Sequence, residues 1–230
     1  MTLSGRDFAL LPFVLLGAGG HAKVLLSLLQ SIDADVKGVC DPALARSGVQ
    51  SWRGIKVLGG DEALEGLNPA QVVLVNGLGQ VVGSDRRKQM YLELTARGFV
   101  FPPLLHSAAW VDASVVLEAG AQVMAGAVIQ PDSVIGANTI VNTGARIDHD
   151  CIIGAHVHVA PAAVLCGGVR VASGAFIGAG STTIQGITIG EDAVVAAGST
   201  LARNLQARHL VVSSPMQIRE LQFKVQPKIS

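Results

Sequence analysis

From Val111 to about Asn204 the chain sets an aliphatic residue at every sixth position. The hexads run VDASVV, LEAGAQ, VMAGAV, IQPDSV and onward, and fifteen of the sixteen open on Ile, Leu or Val, the exception being Thr183. No insertion breaks the register, and self-similarity at a fixed short period is the signature of a solenoid. The fourth position is Gly, Asn or Asp in thirteen of sixteen hexads. These residues tolerate positive φ or supply turn hydrogen bonds, so the chain must bend once per hexad. The fifth position is mostly small (Ala121, Ala127, Ser133, Cys151), sized to share a narrow interior with the aliphatic first position. A short strand followed by a corner fits in six residues, and three such sides close a triangular coil of eighteen. Residues eighteen apart should then stack about 4.8 Å from one another along the axis.

The first hundred residues carry a different pattern. Phe13 to Leu16 reads as a short buried strand, the loop Gly17-Ala18-Gly19-Gly20 follows, and Ala22 to Leu29 has the apolar face of a helix. Val36 to Cys40 predicts a second strand ending at Asp41, and Gln71 to Val75 a third that runs into Asn76-Gly77-Leu78-Gly79. Asp61 is placed to cap a short helix, and Ser84 a longer one ending near Arg97-Gly98. Strands alternating with helices imply a parallel sheet whose ligands lie at the strand C-termini. The expected organisation is a small α/β domain over residues 1–100, a Rossmann-like half, and a solenoid with a short C-terminal tail over residues 101–230.

Composition narrows the function classes. Half the residues are hydrophobic but only 4% are aromatic, which suits an aliphatic coil interior and argues against base-stacking surfaces for single-stranded nucleic acid. Seventeen basic residues balance seventeen acidic ones, so no electrostatic footprint for nucleic acid or an anionic membrane is present. The longest apolar run, Phe8 to Gly19, is interrupted by Pro12, is too short to span a bilayer, and lacks a cleavage site after a basic start; cytoplasm is the expected location. Cys40, Cys151 and Cys166 have no metal-ligand spacing and read as small core hydrophobes.

Two segments carry chemistry. Gly17, Gly19 and Ala22 nearly spell the dinucleotide fingerprint, with Asp41 about twenty residues on, and amides at the start of the following helix can hold a phosphate. Fewer than a hundred residues precede the solenoid, so one mononucleotide half fits and a full dinucleotide fold does not. The second segment is Asp148-His149-Asp150. His149 takes the third position of its hexad, at the bend, and should point away from the interior. Its unperturbed pKa lies near neutrality, as suits a general base taking a proton from an attacking amine or hydroxyl. A carboxylate on the other ring nitrogen would fix the tautomer; Asp150 and Asp148 are both candidates, although Asp150 also occupies a turn position like Asp132 and Asp192. One coil from His149 stands Gly167, whose N–H is a candidate donor to a carbonyl oxygen as it becomes negative. Neither Ser nor Cys appears with an adjacent base, so no covalent enzyme intermediate is expected. His156 sits at a turn and reads as a surface residue.

The hexads resemble those of the hexapeptide-repeat acyltransferases. The segments LLGAGGHAKV, LLHSAAWV, ARIDHDCIIG and VAPAAVL narrow the resemblance to bacterial nucleotide-sugar N-acetyltransferases and sialic acid O-acetyltransferases, the NeuD-like family. That resemblance implies a left-handed parallel β-helix, a hand that the period of six does not itself specify. It further implies acetyl-CoA as co-substrate with no metal, and an acceptor that is a nucleotide-linked amino sugar, with UDP the expected nucleotide. By the same resemblance Gly17, Gly19, Gly20 and Lys23 would lie near the phosphates and Asp41 near the base or ribose, while Asn76 and Gly77 would close the pocket. Asp150 would partner His149, His158 would contact acetyl-CoA, and Asn142 would stand at the rim of the active site.

The expected activity is acetyl transfer to the sugar's amino group, serving the synthesis of bacterial surface glycans or glycoproteins; sugar O-acetylation is the alternative. Two remoter readings are a carbonic-anhydrase-like metal enzyme using His149, His156 and His158, and a scaffold without catalysis. Val116, Val128, Val134, Ile140, Ile152 and Val164 fall at outward positions, and contiguous apolar surface calls for a partner. A homotrimer is expected, with active sites between neighbouring prisms.

Overall fold

The structure, a computed structural model, describes residues 11–213. The start of the Phe8 run and the C-terminal tail lie outside the described residues.

The α/β unit is a five-stranded sheet with order β3-β4-β2-β1-β5, where β1 is Phe13–Leu16, β2 Val36–Cys40, β3 Ser51–Trp52, β4 Ile55–Gly59 and β5 Val73–Asn76. All neighbours run parallel except the β3–β4 hairpin. Every residue of β1 and β5 is buried, as unbroken apolar runs in a sheet covered on both faces should be. Helix α1 (Gly20–Ser31) lays Ala22, Leu25, Leu26, Leu28 and Leu29 on the sheet. Helix α2 (Pro42–Ser47) is started by Asp41, whose carboxylate accepts the amides of Ala43 and Leu44, with Pro42 in the first turn. Helix α3 (Arg86–Ala96) buries Arg87, Tyr91 and Leu94. Ser84 precedes it, but the residue at the cap is Asp85, without a side-chain bond.

The hairpin was not expected from the sequence. Its turn, Arg53-Gly54, has φ of 50° and 85°, so both central residues are left-handed and match the twist of the two strands.

From Leu104 the chain winds into three parallel sheets of six, five and seven two-residue strands. The first face carries strands from Trp110–Val111 to Thr200–Leu201, the second from Val116–Leu117 to Thr188–Ile189, and the third from Leu104–Leu105 to Leu210–Val211. Partners such as Val128↔Arg146, Val134↔Ile152 and Ile140↔His158 are eighteen residues apart, the spacing that three hexads per turn requires. Among the described residues the coil thus begins one strand before the readable repeat and runs one strand past it. At the far end the spacing drops to sixteen, with Val194 paired to Leu210 and Ile189 to Leu205. The shortcut runs through Ala202–Asn204.

The inward first positions (Val123, Ile129, Ile135, Val141, Ile147 and onward) and the small fifth positions form one core along the prism axis. Full burial of a Val, Leu or Ile contributes about 1.5–3 kcal/mol, so each hexad is worth little alone and the stack is the stable unit. Every fourth position from Gly120 to Gly198 has positive φ, including the non-glycine residues Asp132, Asn138, Asp150, His156, Ala162 and Asp192.

The α/β domain lies against the third face and the corner that precedes it. Leu104, Met124 and Ile140 are buried in the same cluster as α1, and Tyr91 donates its hydroxyl to the Ala119 carbonyl at 3.2 Å. Ile140 is therefore covered by the protein's own first domain and is not free for a partner. Val116 and Ile152 remain exposed, and Val128, Val134 and Val164 are half-buried.

Candidate active site

His149 stands on the corner between the first and second faces, with its side chain and that of Asp150 largely exposed. Asp150 Oδ2 lies 2.7 Å from His149 Nδ1, while Asp148 Oδ1 accepts the His149 backbone amide at 2.9 Å. The two candidate carboxylates thus divide the work: Asp150 holds the ring and Asp148 the backbone. A carboxylate can only accept, so Nδ1 carries the proton in the neutral ring and Nε2 is left with its lone pair. The hydrogen bond to Asp150 and the charge of Asp148 raise the His149 pKa above its ordinary value. Asp150 also has φ of 59°, so one residue makes the corner and orients the histidine.

Gly167 lies where stacking puts it, under the imidazole. A Cβ at this position would stand 2.6 Å from His149 Cε1 and 2.7 Å from Nε2. Its φ is outside the left-handed region, which belongs to the next residue, Gly168 at 69°. The glycine at 167 is therefore explained by the histidine ring and not by the corner.

In the α/β domain a cavity of about 410 Å³ opens at the C-terminal ends of β1 and β2, lined by Gly17, Ala18, Gly19, Asp41, Asp61, Leu78, Gly79, Arg86 and Met90 among others. Gly19 caps α1 without a side chain, and nothing lies within 4 Å of a Cβ built there or at Gly20. The first helical bond of α1 runs from Lys23 N–H to the Gly19 carbonyl, so the amides before it are unclaimed by the helix. The end of a helix with bare backbone and open space beside it is suited to a phosphate group.

Three of the residues expected at this pocket lie outside its lining, and a fourth lines it with a second task. Lys23 is on the outer side of α1 beside Arg53, lining a separate depression. Asp41 does line the cavity, but Oδ2 accepts from Ala18 N–H and Oδ1 from the α2 amides, so its first task is to shape the loop. Asn76 is 1% exposed and tied to Arg87 and Asn138, behind the cavity wall. Gly77 is pressed against β1, where a Cβ would meet the Leu16 carbonyl. Leu78 and Gly79 close the pocket in their place. Arg86 and Met90 went unnoticed in the sequence, and Asp61 was read only as a helix cap, because each belongs to an ordinary polar or amphipathic turn.

A second cavity, about 370 Å³, lies between the loop that precedes α3 and the coil, and shares Val81 and Ser84 with the first. His156, Phe176, Asp192 and Arg208 form its coil side, with Lys88 and Arg87 opposite. His156 is no free surface residue: its Nδ1 pairs with Asn138 Nδ2 at 3.0 Å and Tyr91 packs edge-on against its ring. Burial, with help from Lys88 and Arg87, pulls its pKa down to about 4. His158 projects outward from the third face, buried against Phe176, and its Nε2 meets Asn142 Nδ2 at 3.1 Å. Burial first, then the Arg87 charge, brings its pKa to about 4. Asn142 and His158 therefore form a pair near the corner after the third face, whereas His149 and Gly167 form theirs on the corner opposite that face. Among the described residues no group of three or more His, Cys, Asp or Glu is arranged to hold a metal ion.

Profiles of known families match most of the described chain. The PglD N-terminal domain matches residues 13–93, the bacterial transferase hexapeptide (six repeats) residues 114–149, and the hexapeptide repeat of succinyl-transferase residues 163–203. Among solved structures, the acetyltransferase domain of PglB from Neisseria gonorrhoeae, in complex with acetyl coenzyme A, is 32% identical over 89% of this chain and 97% of that chain, with a TM-score of 0.82. PerB from Caulobacter crescentus, in complex with CoA and GDP-perosamine, is 36% identical over 92% of this chain and 99% of that chain, with a TM-score of 0.80. WeeI from Acinetobacter baumannii, 20% identical over 91% of this chain and 100% of that chain with a TM-score of 0.78, bears on the fold alone. No curated protein matches the chain.

Proposed function

The chain belongs to the hexapeptide-repeat sugar N-acetyltransferases, an α/β domain on a left-handed parallel β-helix with acetyl-CoA as acyl donor, and from that premise we propose that it acetylates the amino group of a sugar carried on a nucleoside diphosphate. The observation that carries this reading is the pairing, in one chain, of a bare helix N-terminus opening on a cavity with an outward imidazole held by a carboxylate. The first suits the diphosphate and the second the proton of the attacking amine. UDP is the expected nucleotide, and GDP is the one bound in the Caulobacter relative, so the acceptor class is drawn as nucleoside diphosphate.

In this reading the nucleotide occupies the cavity lined by Gly17, Gly19, Leu78, Arg86 and Asp61, and the sugar extends past Val81 and Ser84 into the adjoining cavity. The amine nitrogen attacks the thioester carbonyl carbon. His149 Nε2 takes the ammonium proton, Asp150 stabilises the imidazolium, and the Gly167 N–H is placed to donate to the oxygen that becomes negative. The C–S bond then breaks, and the departing thiolate takes that proton from the His149 imidazolium to leave as CoA, returning the base to its neutral form. An amide and a thiol result, with no covalent enzyme intermediate.

Within one chain the nucleotide cavity lies on the third face while His149 lies on the opposite corner, so one copy cannot bring its own two halves together. A neighbouring prism supplying His149 to this chain's nucleotide domain completes the site, and a closed ring of such heterologous contacts is a cyclic trimer. The exposed Val116 and Ile152, with Trp110, give it apolar surface to bury. His158 and Asn142, on the far side of the prism from their own His149, then belong to the acetyl-CoA side of a shared site.

Thiol release from acetyl-CoA, measured with a panel of UDP-, GDP-, dTDP- and CMP-linked amino sugars and their hydroxyl counterparts, tests the proposal. Turnover with a nucleotide amino sugar is expected. Turnover with the hydroxyl sugars alone, or with none of the panel, would overturn it.

A further inference from the structure

Arg87, in the first turn of α3, is 3% exposed and has no carboxylate partner among the described ion pairs. Its guanidinium donates instead to three backbone carbonyls: Nη1 to Asn76 at 2.8 Å and to Leu78 at 2.6 Å, and Nη2 to Asn138 at 3.3 Å. Burial brings its pKa to about 9, which leaves it charged at neutral pH. The three acceptors come from different parts of the molecule. Asn76 ends β5, Leu78 lines the nucleotide cavity, and Asn138 is a coil corner one turn below His156. Asn76 returns the contact by donating Nδ2 to the Arg87 carbonyl at 3.0 Å and to Asn138 Oδ1 at 3.2 Å, and its own carbonyl also accepts Gln122 Nε2 at 3.0 Å.

A buried cation is a poor way to glue two domains, because desolvating the charge opposes folding and an apolar side chain of equal length would fill the space without that penalty. What a guanidinium does better is hold several acceptors at fixed angles from one rigid plane. Here the acceptors are the rim of the nucleotide cavity and the coil. We propose that Arg87 is a positioning residue for the transfer: through the carbonyls of Asn76, Leu78 and Asn138 it locks the rim of the nucleotide pocket onto the β-helix, so that the sugar's amino group is delivered to the thioester. The inference rests on the nucleotide-sugar reading above. Arg87 also lines the adjoining cavity, but its Nη1 and Nη2 are spent on backbone carbonyls, so it sets where the acceptor stands through the pocket rim.

The test compares Arg87→Met and Arg87→Lys with wild type in the full-length protein, using the amino sugar that wild type acetylates, the matching nucleoside diphosphate, and amide hydrogen exchange over residues 77–85. Misplacing reactants by about 1 Å costs about 100-fold in rate, so Arg87→Met should lower kcat by about that factor. Calorimetric Kd for the nucleoside diphosphate and KM for acetyl-CoA should stay within about threefold, since neither binding interaction has been removed. Exchange at Leu78 and Gly79 should speed up. Arg87→Lys, which keeps the charge but loses the planar fork, should fall between the two, and it decides by the same readings if Arg87→Met does not fold. A folded variant with kcat within about threefold of wild type overturns the proposal, as does a fall in nucleotide affinity large enough to explain the whole loss. If wild type acetylates no nucleotide sugar, the functional reading fails on its own, and unchanged exchange in Arg87→Met still overturns the hold of Arg87 on the pocket rim.

Discussion

The ring of His149 rests on the α-carbon of Gly167, eighteen residues and one coil away, so closely that a methyl group there would stand 2.6 Å from the imidazole. The relation makes Gly167→Ala an informative substitution. The backbone at 167 accepts alanine without strain, and replacing glycine at such a place stabilises by about 0.4–1 kcal/mol through the unfolded chain. The exposed ring can relieve the clash only by leaving its place. A fall in kcat of about 100-fold with an unchanged or slightly higher Tm is expected; wild-type kcat in the folded variant would show that the ring's seat does not matter.

His149→Ala should lower kcat by about 10²–10⁴, with KM for either substrate changed much less. Some activity should survive, because a primary amine is already a good nucleophile and positioning supplies much of the rate. Retention of more than about half of wild-type kcat at neutral pH would remove His149 as the base.

Asp150→Asn separates the two tasks of Asp150. Asparagine tolerates the left-handed backbone at this corner, so Tm should hold, whereas the loss of charge should reduce kcat. It also fixes the sign of a pH effect. Asp150 and Asp148 raise the pKa of His149, and a base must be neutral, so the wild-type rate should rise with pH through a midpoint above the usual histidine value. In Asp150→Asn that midpoint should move to lower pH. A pH profile identical in the two proteins would mean that another group is being titrated.

Sharing of the active site between copies can be read by complementation. Gly19→Glu places a negative side chain in open space beside the nucleotide cavity and should abolish acceptor binding while leaving the fold intact. Co-expressed with His149→Ala, each retaining at most about 1% of wild-type activity alone, it should give mixed trimers. Random mixing leaves about one site in four with an intact histidine from one copy and an intact pocket from the next, so about a quarter of wild-type activity should return. Absence of any recovery in mixed oligomers would refute the shared site.

Acid should loosen the junction of the domains. Burial lowers the pKa of His21, whose Nε2 meets Gln122 Oε1 of the coil at 2.8 Å, to about 3, and those of His156 and His158 to about 4, from an ordinary value of 6.5. Below pH 6.5 the unfolded chain binds protons that the folded protein refuses, so stability should fall as pH drops from about 6.5 toward 4. Calorimetric Tm measured between pH 7 and 5 should decline; a flat profile would contradict the buried, neutral state of these rings.

The coil was legible because its information is periodic: one inward aliphatic residue, one corner, eighteen residues per turn. His149 and Gly167 followed from the same arithmetic, since their contact is a consequence of register. The β3–β4 hairpin escaped although Trp52-Arg53-Gly54-Ile55 holds a two-residue turn, because Arg at a positive-φ position is rarely a turn signal. Arg87 could not be read at all. In the run Arg86-Arg87-Lys88-Gln89 it looks like a solvated helix start, and its burial depends on a coil corner fifty-one residues further along. Lys23 was misplaced for a related reason: a glycine loop says where a helix begins, not which way its first long side chain turns.

The cut from eighteen residues to sixteen at Ala202–Asn204 has a consequence for the protein's life among its own copies. A parallel β-helix that simply stopped would show at its end a row of unpaired amides and carbonyls, spaced to accept the first coil of another molecule, and so would invite fibres. Here the closing turn takes a shorter path. The first face ends at Thr200–Leu201, and the other two are each met out of phase. Among the described residues, a stranger's eighteen-residue coil would find its register matched on the first face alone and missed on the other two, a ledge too uneven to build upon.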